Sequence, residues 1–314
     1  MLSRVADSVH WMSRYVERAE NVARFIDVNY SLLLGDENEA IGGQWAPLVY
    51  TTGDHEAFEK CYDETTRENV LRFLAFDKRN PNSILSCLGK ARENARTIRE
   101  IISSTMWEEI NKYYLMVRAS ADHPRVLDQP FDFCNRVKLA SHLHVGVTDS
   151  TMSHSEAWHF ARMGRLIERA DKTSRIVDVQ YYILLPNPED VGTALDVIRW
   201  SALLRSASAL EMYRRVHGKI TPERVADFLM LDRHFPRSLH FCVVKTQESL
   251  MAITGTPPGA FSNPTEQKVG MLRAELDYSS IGGIVREGLH EFVDEFQAKL
   301  NAVSSTIQED FFTT

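Results

Sequence analysis

Apolar residues recur near the start of the chain at Val5, Val9, Met12, Val16, Ala19, Ala23, Ile26 and Tyr30. Steps of four and three trace one face of an amphipathic helix, and the row predicts a helix ending near Gly35. A second row runs Phe160, Met163, Ile167, Ala170, Ser174, Val177 and Tyr181 and predicts a helix ending before Pro186. Ala19, Ala23 and their counterparts are small enough to let a neighbouring helix come close. The stretch from Val70 reads as a short helix closing at Asp77, a turn, and a helix entered through Pro81. The stretch from Val225 reads the same way, with Asp232 and Pro236 in those places. Proline suits a first helical turn because its missing N–H is not needed there. Beyond Pro81 the helix is expected to reach Ile102 and break at Ser103-Ser104, with another through Trp107–Val117. Proline and glycine mark residues 119–129 and 254–264 as loops. The run from Ile284 to Phe312 reads as one more amphipathic helix. No period-two run is bounded by hairpin turns, so the fold class is all-α, a helical bundle.

Two blocks of the pattern occur twice. WMSRYVERAENVARFIDV at 11–28 matches RMGRLIERADKTSRIVDV at 162–179, an offset of 151 (position 14 onto 165). VLRFLAFDKRNPNSILSC at 70–87 matches VADFLMLDRHFPRSLHFC at 225–242, an offset of 155 (position 81 onto 236). Trp45 and Trp200, and Glu93 and Glu248, share the second offset. Matching blocks in the same order imply an internal duplication. The expected halves are 1–150 and 151–314, joined in one compact pseudo-twofold domain.

The repeated helix carries the charges that matter most. Arg14, Glu17, Asn21 and Arg24 share one stripe, as do Arg165, Glu168, Lys172 and Arg175, while Arg18 and Arg169 project about 100° away. Three readings stand for these residues. Glu–Arg pairs at this spacing form ion pairs at a surface or between helices. Alternatively, arginines fixed by glutamates form a seam that binds an anion or peptide. In the third, Glu17 or Glu168 is a general acid or base. Glu93 and Glu248 join them as candidates, since four carboxylates on four helical segments suggest a di-iron bundle. That centre needs Glu-x-x-His on two helices, and Glu20, Arg96, Asp171 and Met251 stand at the third positions, so no metal or cofactor is assigned. His142, His144, His154 and His159 lack the i, i+4 spacing of a helical zinc pair and read as surface or capping residues. Asp77, Asp232, Ser83 and Ser238 read as caps or turn closures, and Trp45 and Trp200 as core. No phosphate loop or nucleophile elbow is present. The residues leave enzyme, non-catalytic partner and purely structural helical adaptor all open, with the balance toward the partner.

Composition narrows the setting. Hydrophobic residues at 44% and charged residues at 25% describe a globular chain with a real core. A net charge of −7 argues against general affinity for nucleic acid or anionic lipid. The segment MLSRVADSVHWMSRY has no apolar run, so neither a signal peptide nor a membrane span is expected. Four isolated cysteines suit a reducing compartment, and the expected address is the cytoplasm. A homo-oligomer is compatible with all of this.

The chain resembles the bacterial Alpha-E proteins, a helical family of unknown function. The resemblance rests on LSRVADSVHWMSRYVERAENVARFIDV, on KARENARTIREIIS followed by WEEIN, and on MGRLIERADKTSRIVDV with its YYILL extension. His10 stands where an aromatic such as tyrosine is expected. The resemblance implies company: an ATP-grasp-type protein, and a transglutaminase-like protein, in a system that makes or modifies a peptide or amide. It also gives Glu17, Arg18, Glu168 and Arg169 more weight as a functional seam.

Overall fold

The computed structural model describes residues 1–33, 45–123, 125–184 and 194–313. They contain sixteen α-helices and no strand. The first eight are α1 (Ser3–Leu33), α2 (Ala46–Thr52), α3 (His55–Glu59), α4 (Arg67–Ala75), α5 (Ile84–Thr97), α6 (Ser104–Ala121), α7 (Arg125–Asp128) and α8 (Phe131–Thr151). There follow α9 (Glu156–Leu184), α10 (Ala194–Ser206), α11 (Leu210–His217), α12 (Pro222–Leu231), α13 (Leu239–Thr254), α14 (Pro264–Tyr278), α15 (Ile281–Glu287) and α16 (Leu289–Ile307), closed by a π-helical turn at Gln308–Phe312. No helix among the described residues is long and apolar enough to cross a membrane. The chain divides into two compact units, Met1–Arg165 and Leu166–Thr314, the division falling inside α9.

Unit 1 is built on a ring of four helices in which α1 packs on α5 and α8, and α6 packs on both of those. Val9, Met12, Val16, Ala19, Ala23 and Ile26 of α1 are buried, as the apolar row requires. Ala91 and Ala95 of α5 are fully buried too. Tyr113 of α6 donates its hydroxyl to the Val137 carbonyl of α8 at 2.9 Å, and burial raises its pKa well above the usual range for tyrosine. Trp45 is buried beside α2.

In unit 2, α13 packs on α14 and α14 on α16. Ile167 and Ala170 of α9 line a small apolar void with Val243 of α13, Leu272 of α14 and Leu300 of α16. Trp200 is 1% exposed, a core residue.

The turns between short and long helices are built alike in the two units. Thr66 and Thr221 cap α4 and α12 by accepting from Asn69 N and Arg224 N. Ser83 and Ser238 cap α5 and α13 by accepting from Ser86 N at 3.2 Å and Phe241 N at 3.0 Å. Pro81 and Pro236 therefore lie two residues before the caps, outside the helices they were expected to open. Asp77 accepts from Arg79 N at 2.9 Å, and Asp232 from His234 N at 2.8 Å. The Arg79 side chain, by its hydrogen bonds, holds the Asp77 carboxyl down at about 2.

Other boundaries differ from the sequence expectation. The helix after Ser83 stops at Thr97, and Ser103 caps α6 by accepting from Met106 N at 3.1 Å. The expected loop at 119–129 is partly helical, because α6 continues to Ala121 and α7 fills Arg125–Asp128. The run from Ile284 is broken at Gly288, whose φ of +114° a side chain would rarely adopt, and it ends as a π turn. The expected end of the first helix near Gly35, and Pro186, lie outside the described residues.

Candidate functional site

The repeated motif is withdrawn from water. Arg14, Glu17, Glu20, Asn21 and Arg24 are all buried, with Glu20 at 0% exposure and Glu17 at 2%. Buried charges need partners, and the helix supplies them one turn away. Glu20 pairs with Arg24, and His142 Nε2 of α8 stands 3.5 Å from the same carboxylate. Asn21 donates to the Glu17 carboxylate at 3.3 Å and to the Glu17 carbonyl at 2.8 Å. The Arg14 guanidinium lies 4.6 Å from the centre of the Trp11 ring.

In unit 2, Glu168 and Lys172 are buried. Lys172 Nζ stands 3.1 Å from Asp171 and 3.9 Å from Glu168. Arg175 donates to both Asp171 oxygens at 3.2 Å. Burial alone would raise the Asp171 carboxyl, but Lys172 and Arg175 hold it below its usual value.

The motif arginine points elsewhere, as its angular offset requires. Arg18 donates to the Asn82 side chain at 2.6 Å, and Asn82 in turn donates to Asp54 at 2.6 Å. Arg169 donates to the Pro236 carbonyl at 3.3 Å. In each unit this arginine ties the motif helix to the proline turn. The two sequence blocks that repeat are thus the two that touch.

A small cavity opens beside Glu17. It is lined by Ser13, Val16 and Glu17 from α1, by His144, Val145, Thr148 and Asp149 from α8, and by Trp158, Ala161, Arg162 and Arg165 from the start of α9. Its volume of about 20 Å³ suits one or two water-sized groups. The start of α9 comes close because residue 164 is glycine, where a Cβ would sit 2.2 Å from the His10 carbonyl oxygen. His144 is 3% exposed, and neither ring nitrogen has a hydrogen-bond partner. Burial, and then the charge of Arg165, push its pKa down to about 4, so the ring is neutral near pH 7. At the rim, Trp158 stacks on His154 with centroids 4.0 Å apart and carries Arg162 at 5.3 Å.

The structure brings Glu17 and Arg165 to this cavity and keeps Arg14 and Arg24 buried along α1. Glu93 and Glu248 lie elsewhere. Glu93 is half exposed and pairs with Arg92 and Arg96, and Glu248 pairs with Lys245 at 2.7 Å.

Three features escaped the sequence reading. Glu20 and Asp171 are the acids that hold Arg24 and Arg175, and their i, i+4 spacing was the available signal. His144 is buried, not a surface or capping residue, because Val137, Ser141, His144 and Thr148 form the inward row of α8. His290 meets Asp178 at 2.5 Å through Nδ1 and stands 3.7 Å from Asp294 through Nε2. Their potential ligand atoms lie within 4.8 Å of one another. The ring turns a different nitrogen to each carboxylate, which is the geometry of an imidazolium between two acids. Asp27 has a similar partner in unit 1, Lys138 Nζ at 2.7 Å.

With the motif's geometry in place, its class is clear: the chain belongs to the Alpha-E family, described as a predicted alpha-helical domain with a conserved ER motif, which matches residues 1–312. Glu17-Arg18 and Glu168-Arg169 are the occurrences of that dipeptide in the two repeated helices. Among curated relatives, an uncharacterized protein of Mycobacterium bovis and two from strains of Mycobacterium tuberculosis are 24% identical over 319 residues, covering 95% of this chain. The chain spans about a third of the length of these relatives, 35% of each. No solved structure gives a significant match.

Proposed function

We propose that the chain is a binding or partner protein, a helical domain that docks an ATP-grasp-type enzyme in a peptide- or amide-forming system. A transglutaminase-like protein is a further candidate component. The observation that carries this reading is the buried motif itself. Glu20 pairs with Arg24 and Asp171 with Arg175 inside their own helices, and the cavity beside Glu17 is too small to enclose an acyl donor and an acceptor together. Such an arrangement suits shape and recognition better than turnover. The mycobacterial relatives add support, since they contain the matching region within chains about three times as long. The four free thiols suit the reducing cytoplasm this reading assumes.

The test is co-purification with the ATP-grasp-type partner, with and without nucleotide and peptide. A stable complex at micromolar concentration is expected, and two proteins that stay separate under every condition contradict the reading. A second reading makes Glu17 a general acid or base in amide or acyl transfer, and it draws on Glu17 and His144 lining one cavity. It predicts that Glu17→Gln abolishes turnover while leaving the complex intact.

The proposal extends to the origin of the fold. Two halves, 1–150 and 151–314, descend from one duplicated unit. Supporting this are the paired motif helices, the paired threonine and serine caps, the Arg18 and Arg169 contacts to the proline turns, and the Asp27–Lys138 and Asp178–His290 pairs.

A further inference from the structure

Two clefts flank α7 in unit 1, and their arginines are used differently. The first, of about 500 Å³, lies against α4, and its arginines are engaged. Arg72 pairs with Glu68 at 3.0 Å, and Arg67 donates to the Leu127 carbonyl at 3.1 Å and to that of Asp128. The second, of about 440 Å³, runs between the end of α6, α7 and the start of α8. Both volumes fall within the roughly 300–1,000 Å³ of small-ligand clefts. In the second cleft Arg125 and Arg136 are exposed, and neither side chain has a hydrogen bond or ion pair with any described residue.

The walls of this second cleft are fixed from behind. Arg67 and the Tyr30 hydroxyl, which donates to the Asp128 carbonyl at 3.0 Å, hold the end of α7. The Tyr113–Val137 hydrogen bond sets α6 against α8. Met116, Val126 and Phe133 give the cleft an apolar lining, with Phe133 buried and the other two half-buried. Asp132 and Gln129 stand on the same lining as acceptors. A guest that uses all of this carries an anion for the guanidiniums, an apolar body, and an N–H for Asp132 or Gln129. Two guanidiniums against one carboxylate leave a surplus of one positive charge. One further carboxylate balances that surplus, and a phosphoryl dianion exceeds it. An ammonium guest would be repelled, and a neutral apolar guest would leave both guanidiniums without a partner.

We propose that this cleft binds the C-terminal residue of a peptide chain ending in an apolar side chain. Its carboxylate lies toward Arg125 and Arg136, and its side chain toward Met116, Val126 and Phe133. Such a residue carries the three required parts on one short unit, since the N–H of its own peptide bond supplies the donor, and capture of a terminal carboxylate is a recurring mode of peptide recognition. The cleft is separate from the buried motif, and the inference holds whether or not the chain docks an ATP-grasp-type partner. Because the arginines are exposed, solvent screens the pairing, and the carboxylate contributes a few-fold in affinity rather than orders of magnitude.

The experiment titrates the full chain, labelled with 13C at its methionine methyl groups, with N-acetyl-leucine, N-acetyl-leucinamide and inorganic phosphate in turn. The Met116 signal, assigned by Met116→Leu, is followed. N-acetyl-leucine is expected to move it saturably, at least about fivefold more tightly than the amide, and less tightly as sodium chloride is raised. Arg125→Gln and Arg136→Gln are each expected to weaken the acid about threefold and leave the amide unchanged. A Met116 signal unmoved by about 50 mM N-acetyl-leucine, a generous limit for a ligand of this size, would overturn the proposal. Acid and amide binding equally would overturn it as well, and so would inorganic phosphate displacing N-acetyl-leucine at equal concentration. The comparison of acid with amide is made on the natural chain, so it decides the matter even if a variant fails to fold. The ATP-grasp-type partner enters none of these measurements, so failure here and failure of the complex are distinguishable results.

Discussion

Glu20 and Arg24 are both shielded from water, so neither can lose its partner cheaply. Removing one member of a buried pair leaves the other charged, desolvated and uncompensated, which typically costs about 3–5 kcal/mol. Arg24→Ala is therefore expected to lower the urea midpoint well beyond Arg18→Ala, because Arg18 is half-buried and can rehydrate. Equal losses would show that the pair is not a main support of α1. His290 offers a gentler probe. Its hydrogen bond to Asp178 raises its pKa, so the pair contributes fully below the unfolded value of about 6.5. That contribution is lost as pH rises through the folded value. His290→Lys, which copies the Lys138–Asp27 pair, should hold the thermal midpoint steady across that range while the natural chain falls, as thermal melts at several pH values would show. At this scale the sequence was half legible. The stripe of charges was visible, but their burial was not, because a glutamate with an arginine one turn away reads the same on a surface as in a core.

Whole helices were easier to read than their ends. The apolar rows of α1 and α9 follow from steps of three and four, and the structure buries them from Val5 to Ile26 and from Phe160 to Val177. The ends depend on single residues whose effect is local. Ser83 and Ser238 cap helices two residues after the prolines expected to open them, α6 starts at Ser104, three residues before Trp107, and Gly288 splits an otherwise continuous apolar pattern. Close helix approach was expected at Ala19 and Ala23, which are buried, but Gly164 was not singled out, although its missing Cβ lets α9 meet the His10 carbonyl. Gly164→Ala adds helix propensity and a steric clash with backbone. The clash should win, with a net loss of about 1–3 kcal/mol measured by denaturant titration. A neutral or stabilising outcome would mean that α9 moves aside freely.

For the whole molecule, the repeated blocks carry the most information, since Arg18 and Arg169 show why two separate stretches recur together. The cavity could not be read from sequence because it needs three elements far apart in the chain. Function depends on whether the buried motif serves recognition or only holds helices together. The direct measurement is affinity for the proposed ATP-grasp-type partner, by calorimetry, of the natural chain against Glu17→Gln and Glu168→Gln, with circular dichroism confirming unchanged helix content. A binding role predicts a complex in the micromolar range or tighter that Glu17→Gln weakens at least about tenfold. Equal affinity for all three proteins, or no complex with any of them, would contradict it.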